Sequence, residues 1–93
     1  MAEFVREANA VYYRDADKTL AEILFPDAGD GVVNIKRTFV DESLAGQGLA
    51  GQLVLAAAEI IRARGLKTKT ECAYAEKWFG KHPEFSDILV KNN

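Results

Sequence analysis

Residues 40–53 read Val40-Asp41-Glu42-Ser43-Leu44-Ala45-Gly46-Gln47-Gly48-Leu49-Ala50-Gly51-Gln52-Leu53, a β-branched, apolar run that opens through closely spaced glycines into a helical pattern. A strand end, a glycine loop and a helix start therefore follow one another directly. Glycines let backbone N–H groups approach an anion, and the first turn of a helix leaves four N–H donors without intrahelical partners at the positive end of its dipole. The segment reads as a phosphate seat, and the ligand expected on it carries a pyrophosphate.

Downstream, the apolar positions Leu49, Leu53, Ala56, Ala57, Ile60 and Ile61 recur at three- and four-residue steps with Gln52, Glu59 and Arg62 between them, which predicts an amphipathic helix from Gly48 to Arg64. Arg62 and Arg64 suit the negative end of its dipole, and Gly65 stands where glycine usually follows a helix. Residues 66–72 then read as a strand returning to the sheet, a β-α-β crossover of the right-handed kind. Ala73 to Lys81 is expected to form a short helix, with a break at His82-Pro83-Glu84 and a further turn placing Phe85, Ile88 and Leu89 on the body of the domain. Val90 to Asn93 reads as a frayed end.

Upstream, Glu3 to Glu7 and Ala10 to Arg14 alternate around Ala8-Asn9 and read as a β-hairpin, since asparagine tolerates the left-handed conformation of tight turns. Thr19–Pro26 and Val32–Val40 read as a second, longer hairpin closed by Asp27-Ala28-Gly29-Asp30-Gly31, a loop rich in residues that accept positive φ. In the last strand Val33, Ile35, Arg37 and Phe39 fall on one face and Val32, Asn34, Lys36, Thr38 and Val40 on the other. Neither face is cleanly polar, so a strand covered on part of both faces is expected rather than an edge.

With 93 residues, 48% of them hydrophobic, the chain supports one core, and residues 1–93 read as a single α+β domain without linker or repeat. Its lone cysteine forms no internal disulfide, and no Cys/His cluster offers a metal site, which points to a reducing, cytoplasmic setting. The N-terminal residues lack an apolar run of signal-peptide or membrane-spanning length. A net charge of −2 provides no overall basic field for nucleic acid. Neither a nucleic-acid nor a membrane partner is expected, and the oligomeric state is left open.

The order of strands, glycine loop, long helix, strand and short helix resembles the GCN5-related N-acetyltransferase (GNAT) family, especially its minimal single-domain members. That family's acetyl-CoA signature is Gln or Arg, two residues, Gly, one residue, then Gly or Ala; here it falls on Ala45-Gly46-Gln47-Gly48-Leu49-Ala50. Gly48 and Ala50 match, and Ala45 departs from the first position, so the seat must rest on backbone donors from Gly46 onward. The small subfamily's downstream pattern also appears, as Cys72, Tyr74, Phe79, Lys81-His82-Pro83-Glu84-Phe85 and Asp87.

The resemblance implies a mostly antiparallel mixed sheet and an acetyl-CoA-dependent N-acetyltransferase acting on an amine. It implies coenzyme A (CoA) pyrophosphate on the amides of Gly46, Gln47, Gly48, Leu49, Ala50 and Gly51, and pantetheine along the strand near Phe39 and Val40. No metal is required. Ser43, Gln47 and Gln52 are further candidates for phosphate contact. Cys72 stands where a thiolate would take the acetyl group transiently, although a free cysteine is also a common packing residue and direct transfer to the amine is the alternative route. Tyr74 reads either as a phenol serving the leaving sulfur or as an aromatic cover, and His82 either as a base or as a helix cap. The competing function is a module that binds CoA or acyl-CoA without turnover.

Overall fold

The computed structural model describes residues 2–90. Its elements are β1 (Glu3–Arg6), β2 (Ala10–Asp15), β3 (Lys18–Leu24), β4 (Asp27–Gly29), β5 (Val32–Ile35), β6 (Arg37–Val40), α1 (Leu49–Ala63), β7 (Lys67–Thr70) and α2 (Ala73–Lys81), with 3-10 turns at Glu42–Leu44 and Pro83–Ile88. They form two sheets, an antiparallel β1-β2-β3-β6 and a mixed β4-β5-β7. The α+β expectation holds, as does the crossover, because β5 and β7 pair in parallel on either side of α1 in the chain.

The first hairpin forms with Val5 opposite Tyr12, and Glu7 N–H donates to the Ala10 carbonyl at 2.9 Å. Asn9 does not take a positive φ there. Its side-chain amide instead donates to the Phe25 carbonyl and to Asp27 Oδ1, tying this turn to the next connection. Ala16, in the β2–β3 turn, takes the left-handed conformation at φ 55°.

The second hairpin is corrected more deeply. Strand β3 pairs with β6 from Leu24↔Arg37 to Ala21↔Val40, but Val32–Ile35 belongs to the other sheet. Lys36 N–H donates to the Leu24 carbonyl while Leu24 is already opposite Arg37, so two residues face one in a β-bulge. Pro26 has no N–H with which to continue the β3 ladder, and its carbonyl accepts instead from Asn34. The expected loop is partly strand: Asp27 and Gly29 pair with Val33 and Val32, around Asp30 at φ 56° and Gly31 at φ 76°. Two successive positive φ values are what a type I′ hairpin turn requires, and Asp-Gly is its usual sequence.

The bulge also rearranges the faces. Val33, Asn34 and Ile35 are buried and β5 lies between β4 and β7, so a strand covered on both faces holds for residues 32–35, whereas Arg37 is exposed and β6 is an edge strand of its sheet, so it fails for residues 37–40. Helix α1 packs against β2, β3 and β6, burying Leu53, Val54, Ala57, Ala58 and Ile61 against Val11, Ala21, Ile23 and Phe25. Its far end closes tightly: Gly65 at φ 70° donates to the Arg62 carbonyl and Leu66 to Ile61, the paired bonds of a Schellman cap. Phe85 and Ile88 are buried as expected, and Arg62 holds their turn through Asp87 and the Glu84 carbonyl, with its guanidinium 4.2 Å from the Phe85 ring centroid. Val90 N–H donates to the Thr68 carbonyl, so fraying does not begin at Val90; residues 91–93 lie outside the described part.

Candidate active site

The bulge at Lys36 positions the site. Strands β5 and β7 run in parallel from Val32↔Lys67 to Ile35↔Thr70, and Glu71 N–H then donates to the Ile35 carbonyl at 2.9 Å. Beyond that bond the chains part. Strand β6 turns to pair with β3, and Cys72 turns into α2, leaving a wedge between the free edge of β6 and the start of α2. Asp41 N–H donates to the Leu20 carbonyl, so the two-residue alternation of the ladder also turns the backbone of Phe39 toward β3 and that of Thr38 and Val40 into the wedge. Phe39 therefore contributes its side chain, with Arg37 at 5.6 Å from its ring centroid, rather than free backbone groups.

Cys72 forms the other wall as the N-cap residue of α2, its Sγ 3.4 Å from Thr38 Oγ1. Burial pushes its thiol up, but hydrogen bonds from the Thr38 hydroxyl and from the backbone of Ala75, Tyr74 and Thr38 outweigh this and leave it below the usual thiol range. A helix N-terminus is an electropositive setting that favours thiolate.

At the mouth of the wedge lies the glycine loop. Asp41 accepts from both the N–H and the hydroxyl of Ser43, which holds its carboxyl below the ordinary range and occupies the serine inside the 3-10 turn. Gly46 at φ 82° and Gly48 at φ 76° then lead into α1. Gly48 is the N-cap, no side chain caps the helix, and the bond from Gln52 N–H to the Gly48 carbonyl begins the helical series. The N–H groups of Leu49, Ala50 and Gly51 thus lie in the turn whose donors have no intrahelical acceptor. A Cβ built at Gly46 or Gly48 would meet nothing within 4 Å, so the space above the loop is open. A cavity of about 260 Å³ lies there, lined by Val40, Leu44, the loop and Tyr74.

Tyr74 borders a second cavity, a groove of about 590 Å³ between α1 and α2. Its hydroxyl lies 3.3 Å from where a Cβ on Gly51 would stand, so glycine at that position leaves room for the phenol over the first turn of α1. His82 is at the other end of α2, roughly 15 Å from Cys72 at 1.5 Å per helical residue. Its Nδ1 lies 2.7 Å from the Trp78 carbonyl, and because a carbonyl only accepts, Nδ1 carries the proton. The imidazole thereby caps one of the last carbonyls of α2 while stacking on the Trp78 indole at 3.9 Å between centroids. Cys72 meets Thr38, and Tyr74 meets the loop and Val40 around the smaller cavity; His82 does not join Cys72. Thr38 was missed as a site residue, since only the bulge reveals that its backbone faces the wedge.

Among the described residues no group of three His, Cys, Asp or Glu side chains forms a metal-binding cluster, and no helix is long and apolar enough to cross a membrane. No curated protein sequence matches the chain. Among solved structures, a GCN5-like protein from Staphylococcus aureus is 28% identical with a TM-score of 0.77, over 98% of this chain and 90% of its own. Ard1 from Thermoplasma volcanium shares the fold at 16% identity and a TM-score of 0.63, over 80% of this chain and 53% of its own. Rv2747 from Mycobacterium tuberculosis, solved in complex with CoA and NLQ, does so at 15% and 0.65, over 81% of this chain and 47% of its own. The chain thus spans about half the length of these last two proteins. The family model for GCN5-related N-acetyl-transferase matches residues 10–88, and the chain belongs to that family.

Proposed function

We propose that the chain is an acetyl-CoA-dependent N-acetyltransferase whose reaction centre is the wedge between β6 and α2. The observations that carry this reading are the uncapped helix donors at Gly48–Gly51, the cavity that the loop shares with Val40 on the edge of β6, and the Cys72 thiol against Thr38 of the same strand. The residues fit the ligand: the loop is open above Gly46 and Gly48, and its donors are backbone groups that an alanine at position 45 does not remove. When bound, acetyl-CoA supplies an acetyl thioester.

The amides of Gly46, Gln47, Gly48, Leu49, Ala50 and Gly51 hold pyrophosphate oxygens, helped by the dipole of α1. Val40 pairs with a pantetheine amide as an added strand pairs with a sheet edge, while the Thr38 backbone serves the Cys72 sulfur. This places the thioester beside Cys72, where the hydroxyl of Thr38 and the amides opening α2 stabilise negative charge on sulfur. An amine would attack the thioester carbonyl carbon, the C–S bond would break with its electron pair left on the departing sulfur, and the proton shed by the nitrogen would pass through solvent to that thiolate. In the two-step route the Cys72 thiolate makes the first attack and the amine then displaces it from the acetyl group. Tyr74, with its hydroxyl over Gly51, contacts the phosphate end of the ligand, and His82 serves as a helix cap.

Intact-protein mass spectrometry with acetyl-CoA, followed by an amine panel read by free CoA thiol, tests the proposal. Amine-dependent thiol release is expected. An acetyl adduct that is lost on Cys72→Ser and discharged by the amine identifies the two-step route, while turnover without an adduct identifies direct transfer. CoA binding without thiol release across the panel would replace the enzyme by the binding module.

A further inference from the structure

Helix α1 covers the face of the first sheet that carries Val11 and Ile23, while α2 and the 3-10 turn after it pack on α1 and β7. Tyr12 and Leu24 alternate with those buried residues, so they stand on the opposite face, where they are only partly buried. That face carries a groove of about 460 Å³. Its floor is apolar, formed by Ala10, Tyr12, Leu24 and Pro26, and Glu7 and Lys36 also line it.

The groove runs across the strands. Glu7 N–H donates to the Ala10 carbonyl, Ala10 stands opposite Leu24, and Lys36 N–H donates to the Leu24 carbonyl, so one row joins Glu7, Ala10, Leu24 and Lys36. Three strand spacings of about 4.8 Å put its charged ends roughly 14 Å apart. Among the described residues neither Glu7 nor Lys36 stands in an ion pair, whereas the neighbouring Arg37 meets Glu22 at 3.9 Å. The Lys36 end adjoins the wedge, because Thr38, which touches Cys72, lies two residues further on, roughly 7 Å away at about 3.4 Å per residue.

We infer that this groove selects the acceptor, and that the acceptor is the terminal amine of an extended polypeptide. Its nitrogen enters the wedge, an acidic residue about two positions on meets Lys36, apolar side chains lie over Tyr12, Leu24 and Pro26, and a basic residue about four positions further meets Glu7. The assignment rests on the acetyltransferase reading above and adds to it the class of acceptor. A small amine that reaches the wedge leaves the apolar floor and the far carboxylate without a partner, whereas a chain of about seven residues spans both. Apolar burial supplies the affinity, and the two opposite charges fix direction and register.

Steady-state thiol release from acetyl-CoA at low ionic strength tests it with three acceptors. One is a peptide amide of about seven residues with a free N-terminus, aspartate third, arginine last and leucines between them; the second has those two charges exchanged; the third is alaninamide. The first peptide is expected to exceed the second about tenfold in kcat/KM, and alaninamide by more. Glu7→Lys/Lys36→Glu, at two exposed positions outside the wedge, should invert the preference between the peptides and leave alaninamide turnover within about twofold. Equal kcat/KM for the two peptides, an unaltered preference in the variant, or alaninamide turned over as well as the first peptide would overturn the groove assignment and leave the acetyltransferase reading standing. Thiol release with none of the three would overturn both.

Discussion

The two ends of α1 each turn on a glycine with nearly the same backbone, φ 76° at Gly48 and 70° at Gly65, yet their consequences are opposite. At Gly65 the orphan carbonyls of Ile61 and Arg62 are satisfied by Leu66 and Gly65 itself, and Arg62 fastens the C-terminal turn over the helix end. At Gly48 no side chain caps the first turn. One glycine closes a helix for stability. The other leaves donors open, which costs stability in the free protein and, under the proposed function, serves the pyrophosphate.

Valine at either position tests that contrast most strongly. Both backbones are left-handed, so Gly48→Val and Gly65→Val should each lower stability by about 1–2 kcal/mol in chemical denaturation. Only Gly48→Val should also weaken CoA binding, by about tenfold or more, equivalent to about 1.4 kcal/mol. Equal affinities in the two variants would erase the distinction.

A smaller effect is expected inside the wedge. Thr38→Val removes a hydroxyl that favours the Cys72 thiolate, so the pH profile of alkylation should move to higher pH and the rate at neutral pH should fall a few-fold. An unchanged profile would remove Thr38 from the thiol's environment.

The mildest test concerns the closed end. Arg62 holds the Asp87 carboxyl below its ordinary range through their hydrogen bond, so the contribution is present above the unfolded carboxyl value and lost as pH falls through the lower folded one. Asp87→Asn should flatten the acid limb of the stability curve without altering CoA affinity, measured by denaturation across that limb. An acid limb as steep as that of the parent would remove Asp87 from it.

What the sequence disclosed follows the range of the interactions involved. The 3.6-residue period gave α1 to within a residue at each end, and Ala73–Lys81 was recovered as α2, because local spacing and end residues decide both. The bulge at Lys36 was not legible, since it depends on which strand each half of residues 32–40 finds as a partner. Asp30-Gly31 did carry a hairpin signal, hidden because the short strand before it, Asp27–Gly29, is poor in β-forming residues. The same division holds at the site. Gly48 and Cys72 stood out as candidates by type and spacing, whereas the position of Thr38 opposite Cys72, and the separation of His82 from it, required the fold.

The central claim is that the open end of α1 and the edge of β6 form one ligand path. Titrating isotopically labelled protein with CoA and following backbone amide resonances tests it most directly. The largest shifts should fall on Gly46 to Gly51, Thr38 and Val40, with Gly65 and Leu66 unmoved. Shifts confined to other surfaces, or none at saturating CoA, would contradict it.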